Sequence, residues 1–329
     1  MNRPLALFLL GCLTSALSLA ADAPAPSAPA TPSATASSDS IYLFAYFRNE
    51  KDGLHLAQST DGLNWKPLYN DKFLLKPDVG GKLMRDPCLQ RGPDGDFLLV
   101  WTDSWTGQSI GFASSKDLIH WSAQQELPVM AGQTARESWA PEIRYDTAKS
   151  EYVIYWSSST NGKDFKTWAT TSKDLKTFTP AKIFFDPGFS EIDGTIFADD
   201  GGKFLFFFKH GGVGIQIATG DALQGPYKDT GTLFAYPGSD QWEAPWAMKI
   251  GGDYIVYADH FKSRDRMGAW RSHDLQHWED ITAQTTGLRG MEHGSVIVVP
   301  KSIITAIESA TPASAPTPAA ATSATSANP

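Results

Sequence analysis

Four copies of one phrase recur along the chain: Ser59-Thr60-Asp61-Gly62-Leu63-Asn64-Trp65, Ser115-Lys116-Asp117-Leu118-Ile119-His120-Trp121, Ser172-Lys173-Asp174-Leu175-Lys176-Thr177-Phe178 and Ser272-His273-Asp274-Leu275-Gln276-His277-Trp278. A looser copy, Gly220-Asp221-Ala222-Leu223-Gln224-Gly225-Pro226-Tyr227, stands between the third and the last. Their aromatic ends fall at 65, 121, 178, 227 and 278, a period of roughly fifty residues. A chain with such a period builds one supersecondary unit five times over, and each unit buries its apolar faces only against its neighbours.

Within a unit the order repeats. A first strand carries a carboxylate motif. An aromatic and β-branched strand follows, such as Phe97 to Trp101, Tyr152 to Trp156, Lys203 to Phe208 or Tyr254 to Tyr257. A third strand comes next, such as Ile110 to Ala113 or Ile215 to Ala218, and the repeated phrase then closes a turn. Pro93-Asp94-Gly95, Asp199-Asp200-Gly201-Gly202 and Gly251-Gly252-Asp253 separate first from second strands. Sustained helical periodicity is absent. Short antiparallel strands in units of this length predict an all-β fold, a five-bladed β-propeller. The first unit lacks its leading strand, which His293 to Val299 would supply, so the C-terminal strand is expected to close blade 1 and remove an open edge.

Composition sets the limits of the folded part. Residues 21–40 are rich in Ala, Pro, Ser and Thr and read as a linker; residues 307–329 read as a disordered tail of the same character. The propeller is therefore expected over 41–306. Met1-Asn2-Arg3, the apolar run Leu5 to Leu10 and the small residues Ser15 to Ala21 have the layout of a bacterial export signal cut after Ala20, for a periplasmic or secreted protein. Leu9-Leu10-Gly11-Cys12 also resembles a lipoprotein cleavage site, which would tether the protein to a membrane through Cys12. After the first cut only Cys88 remains, so no internal disulfide is possible. A net charge of −8 without a basic cluster gives no footprint for nucleic acid and favours a neutral partner. Eleven tryptophans and ten tyrosines offer flat apolar rings for sugar faces as well as for the core.

Asp86, Glu142, Asp193, Glu243 and His293 each fall on the leading strand of a different unit, and in a propeller those strands converge on the central channel. A ring of acids needs a cation, a histidine or shifted pKa values to offset repulsion. Glu243 lies between Trp242 and Trp246, an aromatic setting expected to raise its pKa by desolvation, as a general acid requires. Glu191, two residues before Asp193, competes with it for a role.

Arg85-Asp86-Pro87-Cys88, Trp139-Ala140-Pro141-Glu142, Ile192-Asp193-Gly194-Thr195-Ile196-Phe197, Glu243-Ala244-Pro245 and His293-Gly294-Ser295 resemble, in this order, the blade motifs of glycoside hydrolase family 43. The resemblance implies an inverting glycosidase acting on arabinose or xylose units of plant-type oligosaccharides or polysaccharides. It makes Asp86 the general base, Asp193 the residue that orients and tunes the acid, and Glu243 the general acid. Inversion needs two carboxyls about 6.5–9.5 Å apart with a water between base and sugar. Glu142, Trp139, Trp242, Trp246, Trp105 and Arg271 are the candidate substrate contacts. His293 is the candidate for contact with a structural calcium in the channel, although the chemistry itself needs no cofactor. The expected enzyme is a monomer. Cys88 replaces the family's usual Ser, Ala244 its Gly, and Glu142 its Asp, departures that bear on the substrate. Two other readings stand beside this one: a fructosidase-type hydrolase, whose Asn-Asp-Pro-Asn motif is missing from 41–66, and a carbohydrate-binding propeller without catalysis.

Overall fold

A computed structural model describes residues 39–233, 241–263 and 266–310, with backbone alone at 232 and 233. The expected export signal, Cys12 and the linker before Asp39 lie outside the described residues. Within these, strands pair antiparallel in five sheets of four, one per predicted unit. The first sheet holds β1 (Ser40–Phe47), β2 (His55–Ser59) and β3 (Lys66–Pro67). The second holds β4 (Arg85–Arg91), β5 (Phe97–Thr102), β6 (Ile110–Ser115) and β7 (Gln125–Leu127). The third holds β8 (Trp139–Asp146), β9 (Glu151–Ser158), β10 (Lys166–Ser172) and β11 (Lys182–Phe185), and the fourth β12 (Glu191–Ala198), β13 (Phe204–His210), β14 (Gly214–Gly220) and β15 (Lys228–Leu233). The fifth holds β16 (Trp242–Ile250), β17 (Asp253–His260), β18 (Met267–Ser272) and β19 (Glu279–Asp280). The last strand, β20 (Glu292–Pro300), pairs antiparallel with β1 and completes the first sheet in the order β20-β1-β2-β3. The molecule is a five-bladed β-propeller whose first blade is closed by its C-terminal strand.

Each apolar cluster of the core lies between two consecutive blades. Leu43 and Leu56 of blade 1 meet Leu89, Leu99 and Trp101 of blade 2; Trp246, Met248 and Tyr257 of blade 5 meet Tyr42, Phe44 and Trp65 of blade 1. A blade is thus covered on both faces. That is why its second strand reads as an unbroken apolar run, fully buried in Phe97–Thr102, rather than as an alternation. Trp246 stacks on Tyr257 at 4.0 Å and on Phe44 at 4.6 Å, aromatic pairs each worth about 0.5–1.5 kcal/mol beyond their burial.

The repeated phrase owes its constancy to one turn. Ser115 Oγ accepts the Leu118 N–H at 2.8 Å, and Asp117 Oδ1 accepts those of Ile119 and His120 at 2.9 and 2.7 Å. Asp61, Asp174 and Asp274 repeat the arrangement. The residue after the aspartate has φ of 66° at Leu118, 54° at Leu175 and 63° at Leu275, and Gly62 takes that place in the first copy at 73°. The phrase therefore serves the fold rather than the site.

One element departs from the expectation of no helix. Helix α1 (Lys301–Ser309) follows β20 directly and buries Ile304 and Ile307 in the core shared by blades 1 and 2. Two turns are too short to register as a sustained period, and the packing of Ile307 carries the ordered chain past the expected boundary at 306.

Candidate active site

Every inner strand breaks its ladder at one place. Register with the second strand slips between Arg85 and Cys88, Trp139 and Glu142, Ile192 and Thr195, and Glu243 and Trp246. In blade 1 it slips between the pairs Ala45–Ser295 and Phe47–Glu292. The bulged pairs are thus Asp86-Pro87, Ala140-Pro141, Asp193-Gly194, Ala244-Pro245 and His293-Gly294. Their first residues have φ of 53° at Asp86, 46° at Ala140, 59° at Asp193 and 56° at Ala244. A bulge with a left-handed first residue turns that side chain out of the regular alternation. Pro or Gly follows every time, because the second residue contributes no ladder N–H or must clear a neighbour. A Cβ on Gly294 would sit 1.8 Å from the Ala45 carbonyl oxygen.

The bulges are locked to one another around the ring. Thr102 Oγ1 accepts the Ala140 N–H at 2.8 Å, and Ser157 Oγ accepts that of Asp193 at 2.9 Å. Asp193 Oδ2 accepts the Ala244 N–H at 3.1 Å, and Asp259 Oδ2 accepts that of His293 at 2.6 Å. In four of the five blades a polar side chain fixes the next blade's bulge, so these side chains are held by rigid elements.

This register revises the expectation of five equivalent positions. Asp86, Asp193 and His293 share the bulge position, with Ala140 and Ala244 as their counterparts. Glu243 stands one residue earlier, matching Arg85, Trp139, Ile192 and Glu292. Glu142 stands two residues later, beside the counterparts Cys88 and Thr195. It is buried against Arg144 Nη2 at 3.0 Å and accepts the Tyr155 hydroxyl hydrogen bond, so its carboxylate is committed within the wall and offers no substrate contact.

The aromatic candidates also divide. Trp105, 44% exposed, lies over the Arg85 guanidinium at 4.5 Å and meets Trp139 edge-on; Trp139 stacks on Phe165 at 5.1 Å. These two stand at the mouth. Trp242 and Trp246, 7% and 1% exposed, point into the inter-blade cores on opposite faces of blade 5, and neither can offer a ring to a sugar. Arg271 lies on β18, third strand from the axis, and pairs with Glu279 at 2.7 Å on the outer edge, away from the channel.

Around Glu243, the aromatic pair is replaced by charge. Lys209, itself buried, places Nζ 3.4 Å from Glu243 Oε2 and lies over the Phe261 ring. A recess beside Glu243 is bounded by Arg85, Asp259, Phe261, Arg266 and Glu292. Asp86 receives Thr102 Oγ1 at 2.7 Å on one oxygen, and His293 Nδ1 lies 3.2 Å from the other. Burial alone would raise the pKa of Asp86, but Arg85, His293 and Thr102 outweigh it and hold the carboxyl at about 2. Burial works against the charge on His293, yet its hydrogen bond to Asp86 and the fields of Asp86, Asp193 and Asp259 lift it to about 9. Asp193 moves the other way: burial, aided by the charges of Glu243 and Asp86 and opposed by His293 and Lys209, lifts it to about 6. Burial likewise lifts Asp259 well above the carboxylate range. Glu191 hydrogen-bonds Thr167 at 2.8 Å, and burial raises it to about 8.

Arg85, Thr102, Lys209 and Asp259 went unread in the sequence. The signal was present: Thr102 ends β5, and Lys209 and Asp259 stand next to last in β13 and β17, opposite Arg85, Ile192 and Glu243. Among the described residues, no group of three or more His, Cys, Asp or Glu side chains is arranged to hold a metal ion.

Residues 39–303 match a family described as "Probable glycosyl hydrolase domain", related to family 43. An α-L-arabinofuranosidase of Bifidobacterium longum subsp. longum is 23% identical over 369 residues, covering 84% of this chain. The chain spans 35% of the length of that curated relative. Among solved structures, a thermostable family-43 glycoside hydrolase superposes with a TM-score of 0.54 at 19% identity, over 68% of this chain and 81% of its own. An exo-β-1,3-galactanase of Phanerochaete chrysosporium with galactose gives 0.52 at 20% identity, over 62% and 51%. With the family match spanning the whole propeller, the chain belongs to the family-43-related glycosyl hydrolase domains.

Proposed function

We propose that the protein hydrolyses terminal glycosidic bonds of plant-type oligosaccharides or polysaccharides with inversion, as an α-L-arabinofuranosidase or β-D-xylosidase. The observation that carries this reading is the separation of the acids by environment. Asp86 is held ionised by Arg85, His293 and Thr102, while Asp193 is pushed up at the same depth and Glu243 stands on the rim with its side chain 26% exposed. An ionised carboxylate at the axis can take a proton from water, while a more open carboxyl at the rim is placed to meet a leaving oxygen.

In this scheme Asp86 accepts a proton from a water that attacks the anomeric carbon. Glu243 gives its proton to the departing oxygen. Asp193, whose Oδ2 accepts the Ala244 N–H next to Glu243, fixes the acid's backbone and orients it. Trp105 and Trp139 supply the aromatic surface at the mouth. The arabinofuranosidase relative favours the arabinose reading, and the same reading has the enzyme exported and acting as a monomer. No step requires a metal.

The test uses purified protein with a panel of aryl glycosides, α-L-arabinofuranoside, β-D-xyloside, β-D-galactoside and β-fructofuranoside. Asp86→Asn should lower kcat/KM by about 10²–10⁴ on every turned-over substrate. Glu243→Gln should lose as much on a poor leaving group and far less on 2,4-dinitrophenolate, which departs without protonation. Equal loss on both leaving groups would remove Glu243 from the acid role. Turnover of none of the panel, with sugar binding retained, would favour the binding module.

A further inference from the structure

One position in the second strand of every blade stands across the ladder from the residue before the bulge. Register pairs Phe47 with Glu292, Thr102 with Arg85, Ser157 with Trp139, Lys209 with Ile192 and Asp259 with Glu243. In three blades this residue reaches the next blade as an acceptor. Thr102 Oγ1 takes the Ala140 N–H, Ser157 Oγ that of Asp193, and Asp259 Oδ2 that of His293. Blade 4 breaks the pattern. A lysine ammonium donates and cannot accept, and Asp193 Oδ2 takes the Ala244 N–H in place of Lys209.

Lys209 nevertheless crosses to the next blade. Its Nζ lies 3.4 Å from Glu243 Oε2 and 4.0 Å from the centre of the Phe261 ring. Arg85 and Arg266 border the recess beside Glu243, yet among the described residues Lys209 is the cation that pairs with it. For the fold alone this is a costly residue. A buried ammonium with one loose partner recovers little of its desolvation, whereas a Ser or Thr there could accept the Ala244 N–H as in blades 2 and 3. The side chain at 209 therefore serves Glu243 rather than the ring of locked bulges.

We propose that Lys209 is a positioning residue for the general acid, which rests on the assignment of Glu243 to that role. When the Glu243 carboxyl gives its proton to the departing oxygen, its O–H bond breaks and a carboxylate remains at the rim. The Lys209 ammonium holds that group in place and meets the negative charge as it develops. A donor already aimed where charge grows lowers the barrier without reorganisation. Its benefit rises with the proton transfer that the leaving group demands. Lys209 thus suits the site to sugar alkoxides, the poor leaving groups of unactivated oligosaccharides.

The test compares kcat/KM of the full chain on the phenyl and 2,4-dinitrophenyl glycosides of whichever sugar it releases. Lys209→Met should lose about 10–100-fold on the phenyl glycoside, the worth of one hydrogen bond to a charged group, and far less on the dinitrophenyl one. Lys209→Arg should recover most of that loss. Lys209→Thr, which installs the acceptor of blade 2, should keep a cooperative thermal transition and lose activity as Lys209→Met does. Added to Glu243→Gln, Lys209→Met should cost nothing further. Equal loss on both glycosides in Lys209→Met, or its full loss repeated in the Glu243→Gln background, would overturn the role of Lys209 and leave the acid in place. Equal loss on both in Glu243→Gln itself would remove the acid assignment and this proposal with it.

Discussion

Replacing His293 by Gln keeps a side-chain donor near Asp86 and deletes the positive charge. In the folded protein His293 is lifted from 6.5 to about 9, and a rise of about 2.5 at ~1.4 kcal/mol for each pH unit makes the charged form worth about 3 kcal/mol to the fold. The sign follows from linkage. A raised histidine contributes its full stabilisation below the unfolded value of 6.5, loses it as pH climbs through 9, and contributes little at pH 10. Asp86, held at about 2, is ionised throughout that window, so the partner does not change state. The variant should therefore unfold about 6–12 °C below the wild type at pH 6.5, at the 2–4 °C per kcal/mol typical of a domain this large. The gap should close by pH 10. Differential scanning calorimetry at half-unit intervals from pH 6 to 10 measures it directly. A gap that stays constant across the range would show that packing, rather than the charge on His293, is what the substitution removes.

Other consequences are as direct. Because Asp193 sits at about 6, kcat/KM should fall as pH drops through 6 and the carboxylate takes up a proton, and Asp193→Asn should be slow and lack that acid limb. Thr102→Val removes the hydroxyl that joins Asp86 to the Ala140 N–H at 2.7 and 2.8 Å; denaturant unfolding should show a loss of about 1–3 kcal/mol, and kcat should fall with it. Ile307→Ala should cost about 2–5 kcal/mol if α1 seals blades 1 and 2, and a change within 0.5 kcal/mol would mean the helix is a passive tail. Gly294→Ala should prevent closure of the first blade, seen as loss of the cooperative transition, because its Cβ would meet the Ala45 carbonyl oxygen at 1.8 Å.

The architecture was legible because the Asp-Leu-x-x-Trp phrase records a hydrogen-bonded turn. A side chain that accepts two or three backbone N–H groups tolerates few substitutes, and the period survives even where the strands around it diverge. The closing strand was legible for a similar reason: Ile41 to Tyr46 has the texture of a second strand with nothing before it to pair with. The site was only half legible. The motifs put Asp86 and Asp193 on leading strands, and both stand at the bulge, but reading Glu142 as their equivalent followed the carboxylates when the backbone follows the bulge. The residue before each Pro or Gly, in Asp86-Pro87, Ala140-Pro141, Asp193-Gly194, Ala244-Pro245 and His293-Gly294, carries the true register. Trp242 and Trp246 misled because flanking residues in sequence leave a bulged strand on opposite faces, into different cores. Lys209 and Asp259 come from the neighbouring strand, and a cross-strand partner has no local signature until the register is known. Helix α1 is a matter of two buried isoleucines in nine residues.

The central claim is that Asp86 activates water rather than attacking the sugar. Proton NMR of the anomeric signal, recorded in the first minutes of turnover of an aryl α-L-arabinofuranoside or β-D-xyloside, tests it most directly. The first sugar released should carry the inverted configuration, relaxing to the equilibrium mixture only afterwards. First release of the retained anomer would make Asp86 a nucleophile and contradict the assignment of base and acid made here.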